Sequence, residues 1–242
     1  SILLKETKFN KWLVLIYMPN VPLSATPSRS RFVIELLLAF LLTRFPYISI
    51  PFKWFESYFH ELSHGIATLL TGGSVSHIQL FPNGAGFCFS QGGSSILIAY
   101  AGYFGAALWG YSIFLMATQK QTIRFTLTLL AFTVAASLLF WARDVLTIVI
   151  LSVLIILFLL PLKLKNSSLL NTLLRILGLM IILNAMASPM VLLGLSGQGD
   201  AVMLAKMTWL PAWLWVITWL AFSGFMLLLC WRKVDRKKGV SK

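Results

Sequence analysis

Charge is scarce in this sequence of 242 residues. Asp, Glu, Lys and Arg make up 11% of it, where a soluble domain carries about 25%. With 58% hydrophobic residues and a mean hydropathy of +0.85, the chain holds more apolar surface than a water-soluble core can hide, which excludes a soluble globular protein. Acid is scarcest, with seven Asp and Glu against twenty Lys and Arg. The resulting net charge of +13 would suit nucleic acid, but its placement argues against that partner. Six basic residues crowd into 232–242, and Lys120, Arg124, Lys163 and Lys165 flank apolar runs, the usage that sets membrane topology. Cysteine is limited to Cys88 and Cys230, in unrelated apolar settings without a C-x-x-C; this excludes a disulfide framework and a zinc knuckle. The sequence shows no internal repeat, no low-complexity tract and no cleavable signal-peptide pattern.

What it does have is long apolar runs, which spell helices rather than the short alternating strands of a barrel. Residues 1–31 read as an interfacial segment and linker: the apolar piece Trp12–Met18 is too short to span, and a Pro- and Ser-rich stretch follows it. Spans are expected at about 32–50, 54–70, 95–118, 125–141, 145–162, from 169 with an interruption around Asn184 and Pro189, and 209–231. Glu35 and Arg44 lie in the first of these and should pair within the protein or snorkel. After the second span the alternating Ser74–Phe81, the turn Pro82-Asn83-Gly84-Ala85-Gly86 and Phe87–Ser90 predict a β-hairpin. The Trp residues at 209, 213, 215 and 219 fit an interfacial belt or lipid contact. The expected fold class is thus an all-α polytopic membrane protein of about six to seven transmembrane helices, with a short β-hairpin after the second. Residues 32–231 form the membrane-embedded domain and 232–242 a basic tail.

Histidine is also rare, and two of the three fall in Phe59-His60-Glu61-Leu62-Ser63-His64-Gly65. On a helix, positions i and i+4 share a face. Imidazoles at 60 and 64 can therefore grip one metal ion, and Glu61 beside them can act on the water that attacks a peptide bond. Three ionisable groups so close within a membrane span are costly unless functional. Zinc in a hydrolytic site takes three protein ligands, and the small acidic inventory narrows the third to Asp144 or Asp200. Counting spans places both at the membrane side where the motif helix ends. Glu56, one turn before His60, is either a carboxylate at a helix N-terminus or a hydrogen-bond acceptor for His60. His77 and Gln79, in the first strand of the hairpin, are candidate substrate contacts, and the free edge of the hairpin could hold an extended peptide.

The motif on a membrane helix resembles the site-2 protease family of intramembrane zinc metallopeptidases, specifically the small bacterial branch without a PDZ domain. The hairpin ending in Pro82-Asn83-Gly84-Ala85-Gly86, the stretch Ala101-Gly102-Tyr103-Phe104-Gly105, and Gly199-Asp200-Ala201 with Leu204-Ala205, Thr208, Pro211-Ala212 and Trp215 fit it as well. The resemblance implies one Zn²⁺ held by His60, His64 and Asp200, with Glu61 as general base. It also implies hydrolysis of a peptide bond in a membrane protein or membrane-adjacent peptide, within a bacterial inner membrane. The Asp-Gly pair and the Asn motif of better-known members are absent as written, so no oxyanion-stabilising side chain can be named. Two other functions compete: a membrane scaffold that keeps the metal without hydrolysis, against which Glu61 stands, and an ion or proton transporter, against which the lack of inverted repeats stands. On orientation two expectations conflict. The positive-inside rule puts the motif end outside the cytoplasm, whereas the resemblance implies a site facing it.

Overall fold

The computed structural model describes residues 26–45, 49–119, 122–194 and 199–234. The interfacial piece Trp12–Met18 and most of the basic tail lie outside the described residues. Helix α1 (Arg29–Arg44) leads to α2 (Ser49–Leu70), which carries the motif. Strands β1 (Ser74–Leu80) and β2 (Gly86–Gln91) follow, then α3 (Ser95–Met116), α4 (Ile123–Trp141), α5 (Val145–Leu159), α6 (Ser167–Gly194), α7 (Asp200–Thr208) and α8 (Ala212–Lys233). A 3₁₀ turn, Leu160–Lys163, extends α5. Five helices are long and apolar enough to cross a membrane: α3, α4, α5 with its turn, α6 and α8. Helices α1 and α2, read from sequence as two separate spans, meet that test only together, as one bent pair. The protein is an all-α polytopic membrane protein with one two-stranded sheet.

Helix α6 is the central span, with 67% of its apolar window buried inside the protein. It meets α3 at Gly110 and Gly178, where a Cβ on either residue would strike the carbonyl oxygen of the other at 2.6–2.7 Å. Without water to drive helices together, such small-residue contacts let backbones approach and gain dispersion energy. The interruption expected in this span is absent: the helix runs through Asn184 and Pro189 to Gly194. Proline inside a membrane helix frees one carbonyl, a cost that neighbouring helices and polar side chains can absorb.

The ion pair inside the bundle has a local cause. Arg175 of α6 clasps Glu35 of α1 with two hydrogen bonds, Nε to Oε2 at 2.8 Å and Nη2 to Oε1 at 2.6 Å, and Arg31 adds a third at 3.1 Å. Glu35 thus pairs within the protein, while Arg44 lies exposed at the end of α1, over the Phe40 ring.

The hairpin doubles back along α2. Gly84 at its tip abuts Lys53, and Trp54 Nε1–H donates to Pro82 O at 3.1 Å. Ile78 pairs with Cys88 and Leu80 with Gly86, so these residues share the face turned to the protein, where Ile78 and Leu80 are fully buried. The outer edge of β1 is covered by the α4–α5 junction. Ile78 bridges Ala142, and Leu80 N–H donates to Thr147 Oγ1 at 2.9 Å. Among the described residues no strand pairs with the outer edge of β2.

The tryptophans divide. Trp209 and Trp213 are exposed, as expected of an interfacial belt, but Trp219 is completely buried between Tyr100 and Tyr103. Its indole N–H donates to Tyr100 O at 3.1 Å. Sequence spacing does not separate it from its neighbours; its contact with Tyr100 and Tyr103 of α3 does.

Candidate metal centre

The site is assembled from α2, α3 and α7. Along α2, His60 and His64 sit one turn apart and direct their Nε2 atoms toward each other, 2.9 Å apart. Helix α7 begins at Asp200, whose Oδ2 lies 3.0 Å from His60 Nε2 and 3.4 Å from His64 Nε2. Gly199 sets this entry with φ +101°, a conformation closed to side chains with a Cβ. The three residues are buried or nearly so.

Helix α3 supplies the floor. A Cβ on Gly102 would come within 3.0 Å of both imidazoles, and one on Gly105 would strike Ser63 Oγ. The histidine rings therefore occupy space that any other residue at 102 would fill. His64 Nδ1–H donates to Ile98 O at 2.6 Å, which fixes the tautomer and leaves Nε2 as a lone-pair donor. His60 lies edge-on to Tyr103, ring centroids 4.3 Å apart, and its Nδ1 is buried with no hydrogen-bond partner.

Glu61 faces the sheet. Its carboxylate lies beside the Cys88 backbone of β2, and a Cβ on Gly86 would lie 2.8 Å from its Cγ. It is 5% exposed, so the acid beside the two histidines is held rigidly and kept from bulk water.

The donor set can be tested against zinc. Bonds of about 2.0–2.1 Å at tetrahedral angles place ligand atoms about 3.3 Å apart. The separations of 2.9, 3.0 and 3.4 Å come within about 0.4 Å of three corners of such a tetrahedron. Two nitrogens and one carboxylate oxygen are also the ligand types zinc takes in hydrolytic sites. The residues fit the ion.

The family model described as Peptidase M50B-like matches residues 33–230. The chain belongs to the Peptidase M50B-like family, within the site-2 proteases. No curated protein and no solved structure matches it. The M50B-like family is one of membrane zinc metallopeptidases, and the His60, His64, Asp200 cluster of this member could bind such a metal.

Asp144, His77 and Gln79, also singled out from sequence, lie elsewhere in this M50B-like fold. Asp144 is outside the cluster: it caps α5, its Oδ1 accepting Thr147 N–H at 2.9 Å. The carboxylate that could have served as third ligand is committed to a helix terminus. His77 stacks on Phe89 with ring centroids 4.2 Å apart, and strand alternation puts His77 and Gln79 on the face opposite Ile78 and Leu80, away from α2. Sequence alone missed Gly102 as part of the site. Its signal was present in the small-residue stretch 101–107, which reads as helix packing until the histidines are placed against it.

Proposed function

We propose that this protein is an intramembrane zinc metalloendopeptidase that hydrolyses a peptide bond of a membrane-embedded or membrane-adjacent protein. The observation that carries the reading is the convergence of His60 Nε2, His64 Nε2 and Asp200 Oδ2 with Glu61 next to the first of them. These three residues would hold one Zn²⁺, which when bound supplies Lewis-acid polarisation and water activation.

The protein groups do the rest. Glu61 accepts a proton from the attacking water and passes it to the leaving amine, so one water is consumed and a carboxylate and an amine are released. Close packing against Gly86 of β2 keeps the carboxylate in place for both transfers. Helical peptide bonds are shielded, so the scissile segment must be extended. Gly86, Cys88 and Ser90 direct their backbone groups away from β1, by the alternation that the register imposes. A peptide strand added there lies beside Glu61, which favours β2 rather than the His77 face as the substrate-binding edge.

The test is cleavage of a membrane substrate by the purified, detergent-solubilised chain. Glu61→Gln should lower the rate by about 10²–10⁴-fold while the protein retains one zinc. Retained cleavage in that variant would remove Glu61 from the role of base. Zinc bound without any cleavage by the unmodified protein would favour a scaffold.

A further inference from the structure

The two histidines are supported unequally. His64 Nδ1 has the Ile98 carbonyl at 2.6 Å; His60 Nδ1 is buried and has no partner. With Nε2 of His60 turned to the ligand cluster, Nδ1 must carry the proton, so a buried donor stands unsatisfied. Such a group costs about 1–3 kcal/mol unless something accepts from it. One helical turn earlier on the same face lies Glu56, 6% exposed. Among the described residues its hydrogen-bond partner is the Ser188 hydroxyl of α6, which donates across a long 3.5 Å. A buried carboxylate so weakly held is equally costly.

The alternative roles for Glu56 are weak. It cannot serve the helix dipole: α2 begins at Ser49, which places Glu56 two turns in and beyond the first turn where that field acts. Lys53 is within electrostatic reach but exposed, and an exposed counterion offers little to a buried acid. Among the described residues, the acids around His60 are Glu56, Glu61 and Asp200. Of these, Asp200 faces Nε2 and Glu61 is held by β2.

Resting on the reading of His60 as a zinc ligand, we propose that Glu56 is the positioning residue for His60, accepting its Nδ1 proton across one ordered water. It completes a carboxylate–histidine–metal relay on this side of the site, as the Ile98 carbonyl does on the other. The acceptor raises the basicity of the imidazole and fixes its ring plane, and loss of such partners costs about 10–100-fold in metal affinity. Ser188 and α6 thereby become part of the support of the site, one element removed from the ligands.

The experiment uses the full chain in detergent, loaded with Zn²⁺ or Co²⁺, and follows metal transfer to a chelator together with the Co²⁺ visible spectrum. Glu56→Leu should speed metal loss about 10–100-fold and shift the ligand-field bands. Glu56→Gln, which keeps a neutral acceptor, should fall between it and the unmodified protein. Lys53→Gln should match the unmodified protein. If Glu56 were only a buried charge, both Glu56 variants would raise the melting temperature and leave metal loss unchanged. Rates within two-fold of the unmodified protein and an unshifted spectrum therefore overturn the proposal, and so does a Lys53→Gln effect as large as that of Glu56→Leu. A protein that holds zinc but cleaves nothing overturns the peptidase reading and leaves this one standing. A protein that takes up no metal overturns both.

Discussion

At the scale of single residues, the centre depends as much on an absent side chain as on the ligands. Gly102 leaves the volume that the two imidazoles fill. Gly102→Ala should displace both rings, so we expect loss of bound zinc by metal analysis in a protein that remains helical by circular dichroism. Two members of the candidate cluster were legible at once in His60 and His64, because a four-residue spacing on a helix fixes their relation without any tertiary knowledge. The third was not. Asp144 and Asp200 both fall at the motif side by span counting, and what separates them is tertiary: one carboxylate caps α5, the other opens α7 against the histidines. Arg175 as the partner of Glu35 was equally hidden, since 140 residues separate them.

The elements carry the next set of consequences. The hairpin was readable from alternation and an Asn-Gly turn, and its bounds in the structure differ by about one residue. Its facing was the harder part. His77 drew attention as the third histidine, yet the register turns it outward, and the backbone of β2 rather than any strand side chain adjoins Glu61. Ser90→Pro removes one outward N–H of β2 and should depress cleavage with zinc still bound, whereas Phe89→Ala on the exposed face should leave it near normal. Equal activity in the two variants would rule out the β2 edge. The thiol of Cys88 is pushed up to about 12 by burial, with the Glu61 charge adding to the effect. Only a small fraction is thiolate at neutral pH, and alkylation should be far slower than for a free thiol, accelerating as pH rises toward that value. Rapid labelling at pH 7 would contradict the packing of β2 on α2.

For the whole molecule, the Glu35–Arg175 pair ties α1 to α6 inside the bundle. Removing one partner strands the other charge, so Glu35→Gln should destabilise by about 3–5 kcal/mol, seen as a lower unfolding temperature. Replacing both with apolar residues should recover much of that loss. Arg29, Arg31, Arg124, Lys163, Lys165 and Arg232 lie at one end of the spans, where α1, α4 and α6 begin and α5 and α8 end. The positive-inside rule sends that end to the cytoplasm. In a cysteine-free background, a cysteine at position 165 should label only after the membrane is permeabilised and one at position 143 before it; the reverse order would place the metal centre on the cytoplasmic side.

The junction that covers β1 also limits what the hairpin can join. An exposed edge strand is a template for other chains, and two open edges allow growth in both directions. Here Ala142 and Thr147 close one side, so any strand that docks on β2 ends the sheet on that flank. Copies of this protein can pair edge to edge once, but cannot polymerise through their hairpins into a continuous ribbon.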